Sequence, residues 1–378
     1  MGRRHPAAGT VEAMTATAMP HGAGRHAYRL IGGAGDRAVA NGLSNAAWYK
    51  SPVPRSLLKA LMRRGDARAA RDTLLWYLLI AGAGAIVFAS LHTAWLVPAL
   101  LLYSTLYAGP ADSRWHEAGH ATAFRTPWLN DLLYQIASFQ VMRRPTVWRW
   151  SHARHHTDTL ITGRDPEIQV RLPIRPLAVM ADFFGLTLAP SEFAKMLVNA
   201  SGRMIAEEAT FIPVSEWPRV IREARLWLAA HVAVVAAAVA TGSWLPLLMI
   251  GPLPSICGAW LYNFFGITQH ACLPENVLDH RLNSRTVLMN PVSRFLYWNM
   301  NYHVEHHMYP LVPYHALPAL HDAVKADCPP PSPSLWASYR EVISALRRQW
   351  RDPGYAVVRP LPARDSDLKA RIDHAALG

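Results

Sequence analysis

Three histidine-rich stretches decide the fold of this chain, and the last of them reads His303-Val304-Glu305-His306-His307. The second, His152-Ala153-Arg154-His155-His156, has the same HxxHH spacing, and the first, His116-Glu117-Ala118-Gly119-His120, is an HxxxH pattern. Residues i, i+3 and i+4 share one face of an α-helix. The spacing therefore predicts three helices, each of which turns its imidazoles in one direction.

The ligand chemistry of these stretches predicts a metal centre. Eight imidazoles without a thiolate suit a first-row transition metal, iron above all, and more than one ion. The three cysteines, Cys257, Cys272 and Cys328, form no CxxC pair, which argues against a zinc ribbon or a disulfide framework. Nearby carboxylates can fix each imidazole by accepting its second N–H. The candidates for that role are Glu117, Asp158, Asp165, Glu167 and Glu305.

The composition is that of a membrane protein. Hydrophobic residues make up 51% of the chain and charged residues only 17%, below the average of about 25% for soluble domains. The net charge of +12 is better explained by loops beside an anionic leaflet than by nucleic-acid binding. We therefore expect membrane lipid, and no nucleic acid, among the partners.

Two long uncharged stretches predict the membrane spans. Residues 73–111 and 226–274 contain no Asp, Glu, Lys or Arg, and a helical span needs about 20 residues. Each stretch is long enough for two spans joined by a tight hairpin. The sequence thus predicts an all-α integral membrane fold with four transmembrane helices, at about 73–91, 93–111, 226–242 and 244–268.

The distribution of basic residues predicts the orientation. Neither hairpin tip carries Lys or Arg, so all 38 basic residues fall in the N-terminal, middle and C-terminal segments. The positive-inside rule places those segments in the cytoplasm. With four spans, all three histidine stretches lie on that same side. We expect a multi-pass protein of the inner (cell) membrane with both termini cytoplasmic.

The remaining segments complete the predicted organisation. No signal peptide is recognisable at the start of the chain, and the apolar stretches 127–142 and 176–198 of the middle loop are predicted to be helices lying on the membrane surface. The predicted domains are a flexible basic arm at 1–45, an interfacial helix at 46–72, the membrane domain at 73–325, and a cytosolic C-terminal helix and tail at 326–378.

In these motifs the chain resembles the membrane fatty acid desaturase superfamily, whose three histidine boxes read HxxxH, HxxHH and HxxHH in that order. Flanking residues fit as well, namely Gly163-Arg164-Asp165-Pro166-Glu167 after the second box and Met308-Tyr309-Pro310 after the third. The resemblance implies a four-span helical fold with a cytosolic helical cap that holds a non-haem di-iron centre and uses O2 as co-substrate.

The resemblance also implies which histidines bind the two iron ions. Besides the box residues His116, His120, His152, His155, His156, His303, His306 and His307, the family supplies a ninth histidine between the second and third boxes. His270 is the natural candidate, His280 is a weaker one, and His231 lies inside the third span. In some desaturases an asparagine stands one turn before the ninth histidine. Here Gly266 has that place, and Asn263 lies almost two turns back.

Within the superfamily, the second box and its flank are closest to the rhizopine-catabolism hydrocarbon oxygenase branch. That resemblance implies hydroxylation or oxidative demethylation of a small methoxy or hydrocarbon substrate, with electrons from a separate ferredoxin of the Rieske type and its reductase. Three alternatives remain open from the sequence. They are a fatty acyl desaturase, a non-catalytic membrane protein, and an intramembrane zinc protease in which Glu117 of an HExxH motif is the general base.

A run of basic residues around the second box predicts a docking surface. The sequence expectation is that these arginines face the cytoplasm and contact either an acidic ferredoxin or anionic lipid head groups. They are Arg143, Arg144, Arg149, Arg154, Arg164, Arg171 and Arg175.

Overall fold

A computed structural model describes residues 25–172 and 174–362 of the chain as a helical protein. Within those ranges the only β-structure consists of isolated bridges, so the all-α fold class is confirmed. The α-helices, numbered in chain order, are α1 (Gly33–Ala40), α2 (Arg55–Leu61), α3 (Asp66–Ala89), α4 (Leu96–Gly119), α5 (Pro127–Gln140), α6 (Pro145–Thr157), α7 (Pro176–Phe183), α8 (Leu188–Ala200), α9 (Trp217–Thr241), α10 (Leu245–Met249), α11 (Pro252–His270), α12 (His280–Asn283), α13 (Pro291–Leu296), α14 (His303–Met308), α15 (Leu317–Val324) and α16 (Leu335–Gln349).

Three helical segments of the described ranges are long and apolar enough to cross a membrane. They are Asp66–Ala89, Val214–Thr241 and Leu245–His270, the last of which contains both α10 and α11. These segments coincide with three of the four predicted spans. The helices α7 and α8 together are a further apolar pair, but they are bent by 76° at the break between them.

The span predicted at 93–111 falls on α4, which does not meet the same criterion in the described chain. The uncharged part of α4 ends at Ala111, and its last turns carry Asp112, Arg114 and Glu117. Residues 108–111 and 113–118 are buried. α4 therefore begins as an apolar helix beside α3 and ends as the polar helix that carries the first histidine box.

Glycines let α4 and α11 approach closely. A Cβ atom at Gly258 would lie 1.9 Å from the carbonyl oxygen of Ser104, and one at Gly109 would lie 2.6 Å from the side chain of Leu261. Small residues at such contacts are the usual way in which membrane helices pack. Both helices run from the hairpin tips towards the histidine boxes, so the contact brings His270 at the end of α11 beside them.

The N-terminal segments differ from their predicted form. The single interfacial helix predicted at 46–72 is divided, because only Arg55–Leu61 forms α2 and residues 66–72 are the first turns of α3. Of the arm predicted to be flexible at 1–45, residues 1–24 lie outside the described chain, whereas α1 and the preceding turn pack on the protein. Tyr28 is buried there and donates a hydrogen bond to Glu275 at 2.9 Å.

Candidate metal centre

Four helices converge at one end of the bundle and bring all nine predicted histidines together. The first box lies at the end of α4, the second on α6 and the third on α14, while His270 is the last residue of α11. The box positions 116, 152, 155, 303, 306 and 307 are buried. The convergence predicted from the spacing is therefore present in the structure.

The nine histidines form two groups, in each of which the candidate ligand atoms lie within 4.8 Å of one another. Both HxxHH boxes contribute to both groups, because residues i and i+4 of each box point to one group and residue i+3 points to the other. The spacing had predicted a single direction for each box. The five-histidine group is His116, His120, His152, His156 and His306, and the four-histidine group is His155, His270, His303 and His307.

The distances between nitrogens in each group fit a shared cation. Neighbouring Nε2 atoms of the five-histidine group lie between 2.6 and 3.3 Å apart. In the four-histidine group, the Nε2 atom of His303 lies 2.8 Å from that of His270 and 3.0 Å from that of His307. Metal–imidazole bonds of about 2.1 Å that meet at right angles place neighbouring nitrogens about 3 Å apart. The spacing therefore suits nitrogens bound to one ion.

Hydrogen bonds on the outer side of four of the imidazoles set the tautomers of those rings. The Nδ1–H of His270 donates to the carbonyl oxygen of Asn283 at 2.8 Å. Thr159 donates its own hydrogen to the carbonyl of His155 at 2.6 Å, so its oxygen accepts from Nδ1 of His307 at 3.2 Å. With the proton on Nδ1, each Nε2 presents a lone pair. Converging lone pairs without donors are satisfied by a metal cation, so these residues fit the predicted ligands.

Two carboxylates complete this outer layer. Asp165 accepts from Nδ1 of His155 at 2.9 Å, and Glu167 accepts from Nδ1 of His152 at 3.1 Å. Both follow the second box in the Gly163–Glu167 loop. Such carboxylate–histidine pairs orient metal-ligating imidazoles and raise their basicity.

Burial keeps most of the box imidazoles neutral. It lowers the pKa of His152, His156 and His306 well below the usual range, and neighbouring imidazoles lower it further. The neutral imidazole is the form that binds metal. At His155 burial also lowers the pKa, but the Asp165 carboxylate raises it, and the net shift is upward.

Comparison with known proteins agrees with this geometry. The family model described as fatty acid desaturase matches residues 93–339. The chain belongs to the fatty acid desaturase family. No curated protein matches it. The family-model match at residues 93–339 includes all nine histidines. Membership of this family makes the protein an oxidoreductase.

Three of the carboxylates predicted to orient imidazoles in this desaturase family member have other partners. Glu117 accepts from the backbone N–H of Tyr314 at 3.0 Å. Asp158 forms ion pairs with Arg154 and with Arg164. The third carboxylate, on the third-box helix, turns away from the metal centre. It is Glu305, which accepts from Thr286 at 2.6 Å and contacts Nδ1 of His321 at 2.5 Å.

The position of Glu117 also argues against the zinc protease. A general base must reach a water on the metal, but the Glu117 carboxylate is fully buried and accepts from the backbone N–H of Tyr314 at 3.0 Å. Burial raises the pKa of this carboxyl to about 7. His116 and His120 share their site with three further histidines, which a protease site of the HExxH type does not require.

Two outer-layer residues were missed from the sequence. Thr159 stands three residues after the second box, and its hydroxyl is the only sequence signal for this role. Asn283 acts through its backbone carbonyl, for which the sequence carries no signal. The weaker ninth-ligand candidate, His280, belongs to neither group, and its ring stacks on Trp48 with centroids 4.2 Å apart.

Replacing Asp165 with asparagine is expected to weaken metal binding at the four-histidine group. The change removes the negative charge that holds Nδ1 of His155. Losing such a partner typically lowers metal affinity by about 10–100-fold. Competition with a chelator would measure the loss.

The control for this variant is Asp158→Asn, which removes a nearby buried carboxylate whose ion pairs are with arginines. It should leave metal affinity close to native. Equal metal affinity in Asp165→Asn and native protein would contradict the role assigned to Asp165.

Proposed function

We propose that the protein is a membrane-bound, O2-dependent non-haem di-iron oxygenase that hydroxylates a C–H bond or removes a methyl group oxidatively. The observation that carries the proposal is the pair of adjacent all-histidine groups, which suits two metal ions. Imidazole donors bind iron as well as other first-row metals, and the fatty acid desaturase family is generally di-iron. When bound, two irons supply O2 activation and hydrogen abstraction from an unactivated C–H bond.

The chain's own residues prepare the site for that chemistry. Asp165, Glu167 and the carbonyl of Asn283 hold protons on Nδ1 atoms, which leaves Nε2 atoms free for metal. A small cavity of about 90 Å³ lies against the five-histidine group and gives space beside it. Its lining residues are Trp115, His116, Gly119, His120, Tyr134, Arg149, His152 and Ala153.

The second candidate is a fatty acyl desaturase, which the family match itself favours. Both reactions begin with the same hydrogen abstraction. A desaturase then removes a second hydrogen, whereas an oxygenase places oxygen on the carbon. The residues that follow the second box, Gly163–Glu167, resemble the corresponding sequence of the oxygenase branch. We therefore favour oxygenation over desaturation.

Product analysis by mass spectrometry tests the proposal. Purified protein with a ferredoxin and its reductase should convert a methoxy compound or a hydrocarbon, with gain of one oxygen atom or with loss of a methyl group as formaldehyde. Loss of two hydrogens from an acyl lipid would instead establish the desaturase. Elemental analysis should find two irons per chain, in excess of zinc. One zinc without iron, and no activity after iron reconstitution, would refute both candidates.

The proposed electron donor is a separate ferredoxin, and two of the arginines predicted to contact it lie inside the protein. Arg143 and Arg144, predicted to lie on a basic surface, are buried in ion pairs with Asp112 and with Glu192 and Glu208. Their charges are already neutralised inside the protein. Of the seven arginines in that run, Arg171 and Arg175 are exposed.

Reversing the charge of Arg171 and Arg175 to glutamate is therefore expected to raise the apparent KM for ferredoxin and leave the KM for substrate unchanged. Opposite charges speed association and do so less as salt rises. Turnover at limiting ferredoxin should accordingly fall with ionic strength in the native protein. The matched control reverses Arg63 and Arg68, which are also exposed and lie near the start of α3. An unchanged ferredoxin dependence in the Arg171/Arg175 variant would assign these arginines to lipid instead.

We propose the inner membrane as the location, with both termini and the metal centre on the cytoplasmic side. The absence of Lys and Arg from both hairpin tips supports this orientation. The helices α4 and α11 begin at the hairpin tips and end at the metal centre. If the tips face outwards, all nine histidines lie on the cytoplasmic side.

A further inference from the structure

The bent pair α7–α8 was predicted to lie on the membrane surface, and its place in the fold can be determined by counting crossings. Box residues of α6 and of α14 share both histidine groups, so both helices lie on one side of the membrane. Between them the chain crosses with α9 and returns with α10–α11. One more crossing by α7–α8 would place α6 and α14 on opposite sides. The pair must therefore end on the side where it began.

The depth of the bend can be measured against α11. Gly185, with a φ of +69°, lies between α7 and α8, and a Cβ atom there would be 2.6 Å from the Cβ of Ala259 and 3.5 Å from the backbone of Ile256. At 1.5 Å per residue, Ala259 is about 17 Å along the helix from His270. Half of a hydrocarbon core is about 15 Å. Gly185 therefore contacts the middle of a spanning segment.

The helix α9 gives a second, independent measure of depth. Phe193, in the first half of α8, packs its ring against that of His231 with centroids 5.6 Å apart. His231 lies well inside the spanning segment Val214–Thr241. At the other end of α8, the carbonyl of Ala200 accepts from Arg225 at 2.9 Å, near the polar start of α9. α8 thus rises from the interior of the bilayer towards its surface.

A helix that ends inside a membrane needs partners for its last carbonyl groups, because lipid supplies none. The side chain of Asn263, on α11, donates to the carbonyls of Asp182 at 2.9 Å and Phe183 at 3.1 Å, where α7 ends. This accounts for an asparagine in the interior of an apolar helix.

The outer face of the pair is apolar and uncovered. The exposed fraction is 86% at Leu177, 53% at Met180 and 57% at Leu186. The one charged residue between Arg175 and Glu192 is Asp182. The backbone carbonyl of Asp182 accepts from Asn263, so this residue lies closer to the polar end of α11 than Gly185 does.

We propose that α7–α8 is a re-entrant hairpin, which enters the bilayer from the side of the histidine boxes, turns at Gly185 near mid-membrane, and presents Met180 and Leu186 to lipid acyl chains. The hairpin fills the side of the bundle between α9 and α11. It is therefore part of the membrane-embedded domain and does not lie on the membrane surface. This inference does not depend on the reaction that the metal centre carries out.

Depth-dependent fluorescence quenching tests the hairpin in reconstituted vesicles. Single cysteines at Leu177 or Leu186, in a Cys257→Ser background, carry an environment-sensitive fluorophore. Lipids brominated near the chain end should quench the probe at 186 more than lipids brominated near the head group, with the reverse order at 177. Shallow quenching at both positions would show a pair lying flat on the surface. Absence of lipid quenching at 186 would show that the bend is covered by protein, and either result overturns the proposal.

Labelling from one side tests the count of crossings. Cysteines at Arg175 and Ser201, which flank the pair, should react with an impermeant maleimide from the same side of the membrane, and a cysteine at Ser243 in the second hairpin tip should react from the other. Labelling of 175 and 201 from opposite sides would make the pair a broken span and refute the hairpin. Neither experiment uses enzyme activity, so failure of the proposed function would leave both results interpretable.

Discussion

Replacing His306 or His155 with alanine is expected to abolish turnover while the protein still inserts in the membrane. His306 has its Nε2 atom 2.6 Å from that of His116 and 3.2 Å from that of His156, in the middle of the five-histidine group. His155 belongs to the four-histidine group. Loss of an outer-layer partner alone costs about 10–100-fold, so loss of a ligand should lower the rate by more than about 100-fold.

Metal content separates the two variants from a general folding defect. Because the groups are separate, each alanine variant should lose one of the two ions first, and iron per chain should fall towards half of the native value. His315→Ala is the matched control, since this half-buried histidine belongs to neither group. Because His5, His21 and His374 lie in polar tails of the sequence, we expect their replacement to have little effect. All three lie outside the described residues. Full activity of the His155→Ala protein would remove the di-iron proposal.

The nine histidines could be predicted because their signal is local. An HxxHH spacing depends only on the pitch of one helix, and uncharged stretches such as 226–274 depend only on the thickness of a bilayer. The division of each box between two groups could not be predicted in the same way. It depends on how α4, α6, α11 and α14 cross, which long-range packing decides.

Charge was the least reliable guide. Arg143 and Arg144 looked like a cytoplasmic surface because the sequence shows a charge and not its partner. Those partners, Asp112, Glu192 and Glu208, come from distant parts of the chain. The carboxylates near the boxes show the same limit. Proximity in sequence favoured Glu117 as much as Asp165. Of these two carboxylates, Asp165 accepts from a box imidazole, whereas Glu117 accepts from a backbone N–H.

Replacing Arg144 with methionine is expected to cause the largest loss of stability outside the metal centre. Arg144 immediately precedes α6, and its guanidinium bonds Glu192 at 3.0 Å and Glu208 at 2.5 Å. A third bond joins it to the side chain of Asn199. The side chains of Arg144 and Glu192 are each only 3% exposed. Removing one partner of a buried ion pair costs about 3–5 kcal/mol, because the remaining charge is left without compensation.

The loss in the free energy of unfolding should lie near the lower end of that range. The substitution should also speed metal release. Lys195 lies 3.3 Å from Glu192 and 3.4 Å from Glu208, and it would continue to offset part of their charge. Denaturation in detergent measures the free energy of unfolding, and Lys325→Met is the control because its pair with Asp322 is exposed and worth about 0–1 kcal/mol. Adding Glu208→Gln to Arg144→Met should recover part of the lost stability, since it removes one uncompensated charge.

Because Arg144 ties α8 to the start of the second-box helix, the single variant should also release metal to a chelator faster than native protein. Native stability in Arg144→Met would show that this cluster does not hold α6 in place.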